Sequence, residues 1–378
     1  MIHVEEFYEL LIQNNIDYFT GVPDSQLKAF CDYVLQKQGI GKNHIIAPNE
    51  GNAVALAAGY HIATGKIGMV YMQNSGLGNA VNPIASLTDQ EVYGIPVMYM
   101  IGWRGQPGVK DEPQHVKQGK ITLELLELLN IKYFVIKKTT ELADIIKIMN
   151  EEFKEALAQG QSVAFVVEKD SLEACGKMKN ENANHLSREE AIKVIVDSIE
   201  QDTVIVSTTG KASRELFEYR ENTNQGHEKD FLTVGSMGHA SMISLAVAEN
   251  SNKKVVCIDG DGALIMHTGA AALIGSRKPK NLVHILMNNG AHETVGGMPT
   301  ISYDIDWEKC VKAFGYKNTY RAVNEAEIAE VVKKAQKEVG PILIEIMVNT
   351  ASRNELTRPS IKPIDNKKDI MAFIKSGK

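Results

Sequence analysis

The stretch VVCIDGDGALIMHTGAAALIG, residues 255–275, decides the fold. It begins with an apolar run, Val255–Ile258, which is typical of a strand buried on both faces of a parallel sheet. Asp261 follows three residues after this run, between Gly260 and Gly262, and a helical pattern follows over 263–277. Glycines on both sides of a carboxylate indicate that the backbone turns sharply or closely approaches a ligand. The stretch therefore predicts a strand, a turn with a binding carboxylate, and a helix.

The same alternation of apolar runs and amphipathic stretches continues along the chain. This pattern indicates βα units around mostly parallel sheets. The predicted strands are HIIA, GMVYMQ, VMYMIGW, SVAFVV, TVIVST, VVCID, LVHILMNN and ILIEIMV. We therefore expect an α/β protein of two similar domains, each a mostly parallel sheet flanked by helices, with no middle domain.

A polar segment without periodicity divides the 378 residues. It ends at Ser187, which starts a new helix with a capping box completed by Glu190. We expect a first domain over 1–170, a linker over 171–186 and a second domain over 187–378. Two cores of that size suit a chain of this length.

Composition excludes several classes of function. The chain has a formal net charge of −6, 44% hydrophobic and 23% charged residues, which are near the globular average. No basic block provides a nucleic-acid footprint, and no apolar stretch is typical of a membrane span. The acidic, amphipathic N-terminus does not resemble a signal peptide, so we expect a cytoplasmic protein.

The ligand at Asp261 is not predicted to be a dinucleotide, because the third small residue of that fingerprint is replaced by Ile265. A second strand follows the helix and ends in Asn288 and Asn289. Parallel strands of one βαβ unit end at the same edge of a sheet, so Asp261 and Asn289 are expected to be neighbours. Carboxylate and amide oxygens suit Mg²⁺ or Ca²⁺, although both residue types are also common in plain turns.

The motif GDG, 25 intervening residues and NN together resemble the signature of the thiamine diphosphate-dependent enzymes. The resemblance implies that Mg²⁺ is bound by the side chains of Asp261 and Asn289 and by the carbonyl of Ala291. It also implies a set of thiamine diphosphate-binding residues, among which Met237 would hold the cofactor bent. These residues are Thr208, Thr209, Gly210, Ser236, Met237, Gly238, His239, Gly260, Gly262, Ala263 and Asn74.

A second carboxylate, Glu50, lies between a predicted strand and an Ala-rich helix. By its position alone it is an acidic residue of the kind favoured at a helix N-terminus. The family resemblance implies another role, the glutamate that activates the aminopyrimidine of the cofactor. It also implies that this first domain works with the second domain of a partner chain, so we expect a homo-oligomer with shared active sites.

Further segments, among them GVPDSQL, NSGLGNAVNPI and GWRGQPGVKDEPQHVKQG, resemble the phosphonopyruvate decarboxylases of that family. The implied reaction converts 3-phosphonopyruvate, a small 2-keto acid, to phosphonoacetaldehyde and CO₂ in phosphonate biosynthesis. The resemblance and the chemistry of an anionic substrate indicate Asp24 and His292 as catalytic residues beside Glu50. They indicate Ser25, Ser75, Arg104 and His115 as substrate-binding residues, although a charged loop is often only solvated.

Three alternatives remain at this level. A sulfopyruvate decarboxylase would use the same machinery on a sulfonate, and no residue type separates the two anions. A carboligase would add a second keto acid to the same intermediate. A catalytically silent subunit is disfavoured by the presence of Glu50, Asp261 and Asn289 together.

Overall fold

The computed structural model describes residues 1–176, 181–353 and 355–376. The chain forms two compact units, Met1–Lys179 and Asn180–Lys378. Each unit contains one six-stranded, fully parallel sheet, so the predicted fold class is confirmed. Within the described ranges, no helix is both long enough and apolar enough to cross a membrane.

The first unit has eight strands and seven α-helices among the described residues. Its strands are β1 (Ile2–His3), β2 (Tyr18–Gly21), β3 (His44–Ile46), β4 (Gly68–Gln73), β5 (Met98–Gly102), β6 (Lys132–Ile136), β7 (Val163–Val167) and β8 (Leu172–Glu173). Its helices are α1 (Val4–Gln13), α2 (Lys28–Gln38), α3 (Glu50–Thr64), α4 (Leu77–Pro83), α5 (Pro113–Leu128), α6 (Leu142–Ile148) and α7 (Lys154–Ala158).

The second unit has six strands and eight α-helices among the described residues. Its strands are β9 (Val204–Ser207), β10 (Asp230–Leu232), β11 (Val255–Gly260), β12 (Leu282–Asn288), β13 (Asn318–Ala322) and β14 (Ile342–Met347). Its helices are α8 (Arg188–Ser198), α9 (Lys211–Asn222), α10 (Ala240–Asn250), α11 (Asp261–Met266), α12 (Gly269–Arg277), α13 (Trp307–Phe314), α14 (Glu325–Lys337) and α15 (Pro363–Lys375).

The two six-stranded sheets share one topology. Their orders are β3-β2-β4-β5-β7-β6 and β10-β9-β11-β12-β14-β13, which is the order 2-1-3-4-6-5 when each sheet is numbered from its own first strand. The strand order reverses between β2 and β4 in the first sheet and between β9 and β11 in the second. Ligands of open α/β sheets bind at the carboxyl ends of the strands beside such a reversal.

Helices cover both faces of the second sheet, which explains its continuous apolar strands. Along β11, Val256 and Ile258 pack with α8, α9 and α14. Val255 and Cys257 face the other way and pack with α10, α12 and α13. A strand buried on both faces shows no polar alternation, and this is why residues 255–258 are apolar throughout.

Four strands of the six-stranded sheets were not predicted: β2, β6, β10 and β13. The strand β13 lies at a sheet edge and most of its residues are only partly buried, so its sequence, NTYRA, lacks an apolar run. The edge strand β6 was missed although its sequence, KYFVI, is apolar. The single helix expected over 263–277 is also wrong, since the helical conformation is broken at His267 and Thr268 and two helices form.

The predicted linker 171–186 is not irregular throughout. Leu172–Glu173 forms β8, which pairs with β1, whereas residues 177–180 lie outside the described residues. The exact domain boundaries therefore stay a prediction.

A buried ion pair connects α9 to the start of β10. Arg220 of α9 donates two hydrogen bonds to the carboxylate of Asp230, with Nε to Oδ2 at 2.8 Å and Nη2 to Oδ1 at 2.9 Å. The two side chains are 2% and 0% exposed. The pair thereby joins α9 to β10.

Because Arg220→Met leaves the Asp230 charge buried without its partner, we expect the free energy of unfolding to fall by about 3–5 kcal/mol. The control is Lys312→Met, which removes an exposed i,i+4 pair with Glu308 and should change the free energy by about 0.5 kcal/mol or less. Urea denaturation of both variants measures this difference. Equal losses in the two variants would contradict the account.

Candidate active site

Asp261 begins α11 at the carboxyl end of β11, as predicted, and its residue is only 3% exposed. Its Oδ2 accepts a hydrogen bond from Thr300 Oγ1 at 2.5 Å. The backbone amides of Gly262 and Gly290 also hydrogen-bond to the carboxylate. Burial is the largest influence and raises the pKa of Asp261 to about 6. A buried carboxylate of this kind is stabilised in its charged form by a bound cation.

The end of β12 lies next to Asp261, as the parallel βαβ geometry predicts. Gly290, which contacts the Asp261 carboxylate, follows Asn289, and the backbone turns there with a φ of 67° at Gly290. Asn289 Oδ1 accepts a hydrogen bond from the amide of Ala291 at 3.0 Å. Asn289 and Ala291, two of the three residues predicted to bind a metal, therefore lie in one turn next to Asp261, the third. We call residues 289–291 the metal turn.

Contacts among small residues join the predicted cofactor-binding segments. The Gly235 amide donates to Thr209 Oγ1 at 3.0 Å, which connects the loop after β10 to the end of β9. A Cβ at Gly210 would lie 3.2 Å from the Thr294 hydroxyl, so that segment also contacts the loop after β12. The φ of 99° at Gly210 places this residue in a conformation that glycine adopts readily.

Gly262 provides space for two other predicted residues. A Cβ there would lie 2.9 Å from Nδ1 of His292 and 3.3 Å from Cε of Met237. Segments 236–239, 260–263 and 289–292 therefore meet at one point. His292 is buried, and burial lowers its pKa to about 4, so its imidazole is neutral at neutral pH.

The structure also pairs two histidines that are distant in sequence. The rings of His239 and His267 have centroids 4.5 Å apart, and Gly238 lies against His267. His239 is exposed, and its Nδ1 lies 3.2 Å from Ser236 Oγ. His267 was not predicted because its neighbour comes from another segment of the chain.

In the first unit, Glu50 is the first residue of α3 and is 6% exposed. Asn49 caps the N-terminus of this helix, because its side chain accepts a hydrogen bond from the Asn52 amide. Glu50 Oε2 accepts a hydrogen bond from Asn79 Nδ2 of α4 at 2.8 Å. Burial raises the pKa of the Glu50 carboxyl, and the hydrogen bond from Asn79 opposes part of the effect.

Gly76 makes room for that carboxyl. A Cβ at Gly76 would lie 2.5 Å from both Cγ and Oε1 of Glu50, closer than carbon atoms approach without displacement. The turn Asn74–Gly76 that carries this glycine directly follows β4. The end of β4, which borders the reversal of the first sheet, thus provides the space that the Glu50 carboxyl occupies.

Asp24 lies at the end of the neighbouring strand β2 and is fully buried. Its carboxylate accepts hydrogen bonds from Gln73 Nε2 at 2.5 Å and from the Gln26 amide at 3.0 Å. Ser75 Oγ in turn donates to Gln73 Oε1 at 2.6 Å. Gln73, which was not predicted, therefore links Asp24 to Ser75.

Arg104 is held by the chain itself. Its guanidinium donates to both carboxylate oxygens of Asp111, with Nε to Oδ2 at 2.8 Å and Nη2 to Oδ1 at 2.5 Å. Nη1 donates to Ser25 Oγ at 3.2 Å. Two predicted substrate-binding residues are therefore in contact, but one edge of the guanidinium is already occupied by Asp111.

Asn74 has a mainly internal set of partners. Its amide nitrogen donates to the Arg104 carbonyl at 2.8 Å and to Thr122 Oγ1 at 2.9 Å, and its oxygen accepts from the Arg104 amide at 3.1 Å. These bonds fix the backbone at Arg104. Asn74 as a direct cofactor ligand stays a prediction.

His115 of α5 is buried near Arg104, and its Nδ1 lacks a hydrogen-bond partner among the described residues. Burial is the main cause that lowers the pKa of His115 to about 4, and the charge of Arg104 adds to it. A neutral imidazole nitrogen that is buried and unpartnered is a candidate contact for a ligand group.

Comparison with known proteins identifies the family of the chain. Residues 3–126 match the family model described as Thiamine pyrophosphate enzyme, N-terminal TPP binding domain, and residues 208–346 match the corresponding C-terminal TPP binding domain. The chain is 32% identical to a phosphonopyruvate decarboxylase of Streptomyces viridochromogenes, over 94% of this chain and 90% of the relative.

Two further relatives match over most of their lengths. A phosphonopyruvate decarboxylase of Streptomyces hygroscopicus is 30% identical over 96% of this chain and 92% of the relative. A sulfopyruvate decarboxylase of Methanosarcina acetivorans is 27% identical over 87% of each chain.

These matches define the protein first as a thiamine diphosphate-dependent enzyme, because both cofactor-binding domains are present. Within that class, the chain belongs to the family of decarboxylases that includes phosphonopyruvate decarboxylase, and it is a carboxy-lyase.

The residues present fit the cofactor that this class uses. Asp261 and Asn289 offer hard oxygen atoms, the donor type that Mg²⁺ takes alongside phosphate oxygens. Gly262 and Gly76 leave space beside Met237 and Glu50 that a Cβ would fill. The Glu50 carboxyl is buried and has a raised pKa, which suits a group that shares a proton with a ring nitrogen.

Gly76→Ala tests the position of Glu50. The added Cβ should displace the carboxyl by about 1 Å and lower turnover by roughly 100-fold, with little change in thermal stability because only one side chain must move. The control is Gly78→Ala, where a Cβ would meet no atom within 4 Å in the described part of the chain. Steady-state decarboxylation and thermal unfolding are measured for both variants. Normal turnover of Gly76→Ala would refute the claim that Gly76 sets the position of the Glu50 carboxyl.

Proposed function

We propose that the protein decarboxylates 3-phosphonopyruvate to phosphonoacetaldehyde and CO₂, with thiamine diphosphate and Mg²⁺, as a step of phosphonate biosynthesis. The observation that carries the proposal is the placement of two complementary sets of residues, each beside the strand reversal of its own sheet. One contains the buried Glu50 carboxyl, and the other contains the Asp261 carboxylate and the turn at Asn289, which contacts that carboxylate through Gly290. The higher identity to the phosphonopyruvate decarboxylases favours the phosphonate over the sulfonate.

The second unit would hold the diphosphate and its metal. Asp261, Asn289 and the carbonyl of Ala291 would bind Mg²⁺. The hydroxyls of Thr208 and Thr209 and the amide of Gly210, just before α9, suit phosphate oxygens. Proposed cofactor contacts at Gly260, Gly262 and Ala263, and ring contacts from Ser236, Gly238 and His239, complete this set together with Met237.

The first unit would supply the proton chemistry. Glu50 would hold a proton against the aminopyrimidine ring, a task suited to its burial and raised pKa. Bound thiamine diphosphate supplies the electron sink for the bonding electrons that remain when CO₂ leaves. Asp24 is fully buried, burial raises its pKa, and its carboxyl, oriented by the Gln73 amide, is a second proposed catalytic group.

Substrate recognition would use the contacts around Arg104. The guanidinium is oriented by Asp111 and keeps one nitrogen directed at Ser25, so its remaining N–H groups can meet a phosphonate or carboxylate. His115 would add a neutral donor. In the product aldehyde, one proton replaces the CO₂ that leaves. We assign the exchange of this proton to His292, next to the metal turn, whose imidazole is neutral at neutral pH.

We also propose a homo-oligomer in which Glu50 of one chain acts with Asp261 of a second copy. The family resemblance supports this assembly. A cytoplasmic location likewise remains part of the proposal.

The substrate is tested by measuring kcat/KM for phosphonopyruvate, sulfopyruvate and pyruvate with purified protein, in the presence and absence of thiamine diphosphate and Mg²⁺. We expect cofactor-dependent aldehyde formation with the highest kcat/KM for phosphonopyruvate. Preference for sulfopyruvate would overturn the substrate and keep the chemistry. Condensation products in place of free aldehyde would indicate a carboligase.

Glu50→Gln tests the proton role separately from binding. The amide retains an oxygen that can accept from Asn79 but is no acid, so turnover should fall by roughly 10²–10⁴-fold. The affinity for thiamine diphosphate, measured by isothermal titration calorimetry at constant Mg²⁺, should be largely retained. A variant with near-normal turnover would remove Glu50 from the mechanism.

A further inference from the structure

Four charged side chains outside the predicted site form a buried network beside the metal turn. Arg188, the first residue of α8, donates two hydrogen bonds of 2.7 Å to the carboxylate of Glu215 on α9 and a third to Glu293 Oε2. Lys211, the first residue of α9, donates to Glu293 Oε1 at 3.2 Å and also to Ser352. The two cations balance the two carboxylates.

Glu293 has one more partner, and it is a proposed metal ligand. Asn289 Nδ2 donates to Glu293 Oε2 at 3.2 Å, while Asn289 Oδ1 accepts from the Ala291 amide. The two ends of an asparagine amide differ, since only the oxygen can bind a cation. A carboxylate at the nitrogen end therefore determines which end of Asn289 is available to the metal.

We propose that Glu293 is a positioning residue for the Mg²⁺ site, which orients the Asn289 amide and is itself held by Arg188 and Lys211. This inference rests on the metal site proposed above. Hydrogen-bond partners of metal ligands typically fix ligand orientation and influence affinity. The two cations have a second effect, because they neutralise Glu293 and so weaken its own competition for the metal.

The same network connects the metal turn to the diphosphate segment. Lys211 directly follows Gly210, and its ammonium group contacts Glu293. Arg188 connects Glu293 to Glu215 on α9, the helix that Lys211 begins. The metal turn and the start of α9 are thus held by one set of charges, whose side chains are mostly buried.

The test measures the dissociation constant of Mg²⁺ by calorimetry in the presence of saturating thiamine diphosphate and without substrate. Glu293→Ala should weaken Mg²⁺ binding by about 10–100-fold. Glu293→Gln, whose amide oxygen can still accept from Asn289, should retain most of the affinity. The matched control is Glu215→Gln. Glu215 is the other carboxylate bound by Arg188, but Asn289 donates to Glu293 instead, so this variant should leave Mg²⁺ affinity nearly unchanged.

A double-mutant cycle separates orientation from general structural support. Asn289→Asp replaces the amide with two equivalent oxygens, so no orientation is needed, and Glu293 now faces a like charge. In that background Glu293→Ala should leave Mg²⁺ affinity unchanged or increase it, the opposite of its effect in the wild type. Weakening by Glu293→Ala in both backgrounds, or equal weakening by Glu215→Gln, would overturn the inference.

Two further measurements keep the result unambiguous. Thermal unfolding of each apo variant reports whether it is folded. If the alanine variant is not, Glu293→Leu, which also cannot accept a hydrogen bond from Asn289, replaces it in the cycle. Asp261→Ala tests the metal site itself, since intact Mg²⁺ binding in that variant would refute the site. Lost binding in Asp261→Ala together with no effect of Glu293→Ala would refute only the positioning role.

Discussion

The structure of the second unit depends on a carboxylate buried at the end of a strand. An isolated charge removed from water is strongly unfavourable, so it must be paired, hydrogen-bonded or protonated. Around Asp261, Thr300 and the Gly262 and Gly290 amides supply hydrogen bonds, yet burial still raises the pKa of the carboxyl to about 6. Thr300 and Gly290 both belong to the chain that follows β12. Hydrogen bonds to the same carboxylate therefore hold residues 290–300 against the end of β11. The remaining charge of the carboxylate suits a bound cation.

The two units apply one topology to two different tasks. In each sheet the proposed site residues follow the two strands that border the reversal or the strands next to them, where helices on opposite faces leave a crevice. The second unit places hydroxyls, glycines and the oxygen atoms proposed to bind a metal there, which suits a diphosphate. The first unit places Glu50 and Asp24 there, two carboxyls whose pKa values are raised by burial, together with the Arg104 guanidinium. Similar backbones thus carry the two sets of residues to which we assign cofactor binding and proton transfer in this decarboxylase.

Much of this arrangement is predictable from sequence because it follows from strand order and apolar periodicity. The runs before Asp261 and Asn289 predict parallel strands, and parallel strands bring their ends together without further information. The edge strand β13 was missed because partial exposure weakens the apolar signal. Gly76, Asn79, Thr300 and Glu293 were missed for another reason. Each acts through a contact between distant segments, and no local pattern records which loop approaches which carboxylate. Asp111 was in the quoted loop, but its pairing with Arg104 depends on how that loop folds.

The central claim is that the Glu50 carboxyl and the Asp261 metal site complete one active site from two copies of the chain. Co-expression of Glu50→Gln and Asp261→Ala chains with different affinity tags, followed by purification through both tags in turn, tests it directly. A mixed dimer contains one site with both residues intact and one with neither, so decarboxylation should return to about half of the wild-type rate per dimer, whereas each variant alone is inactive. Mixed oligomers that bear both tags and show no activity would contradict the account.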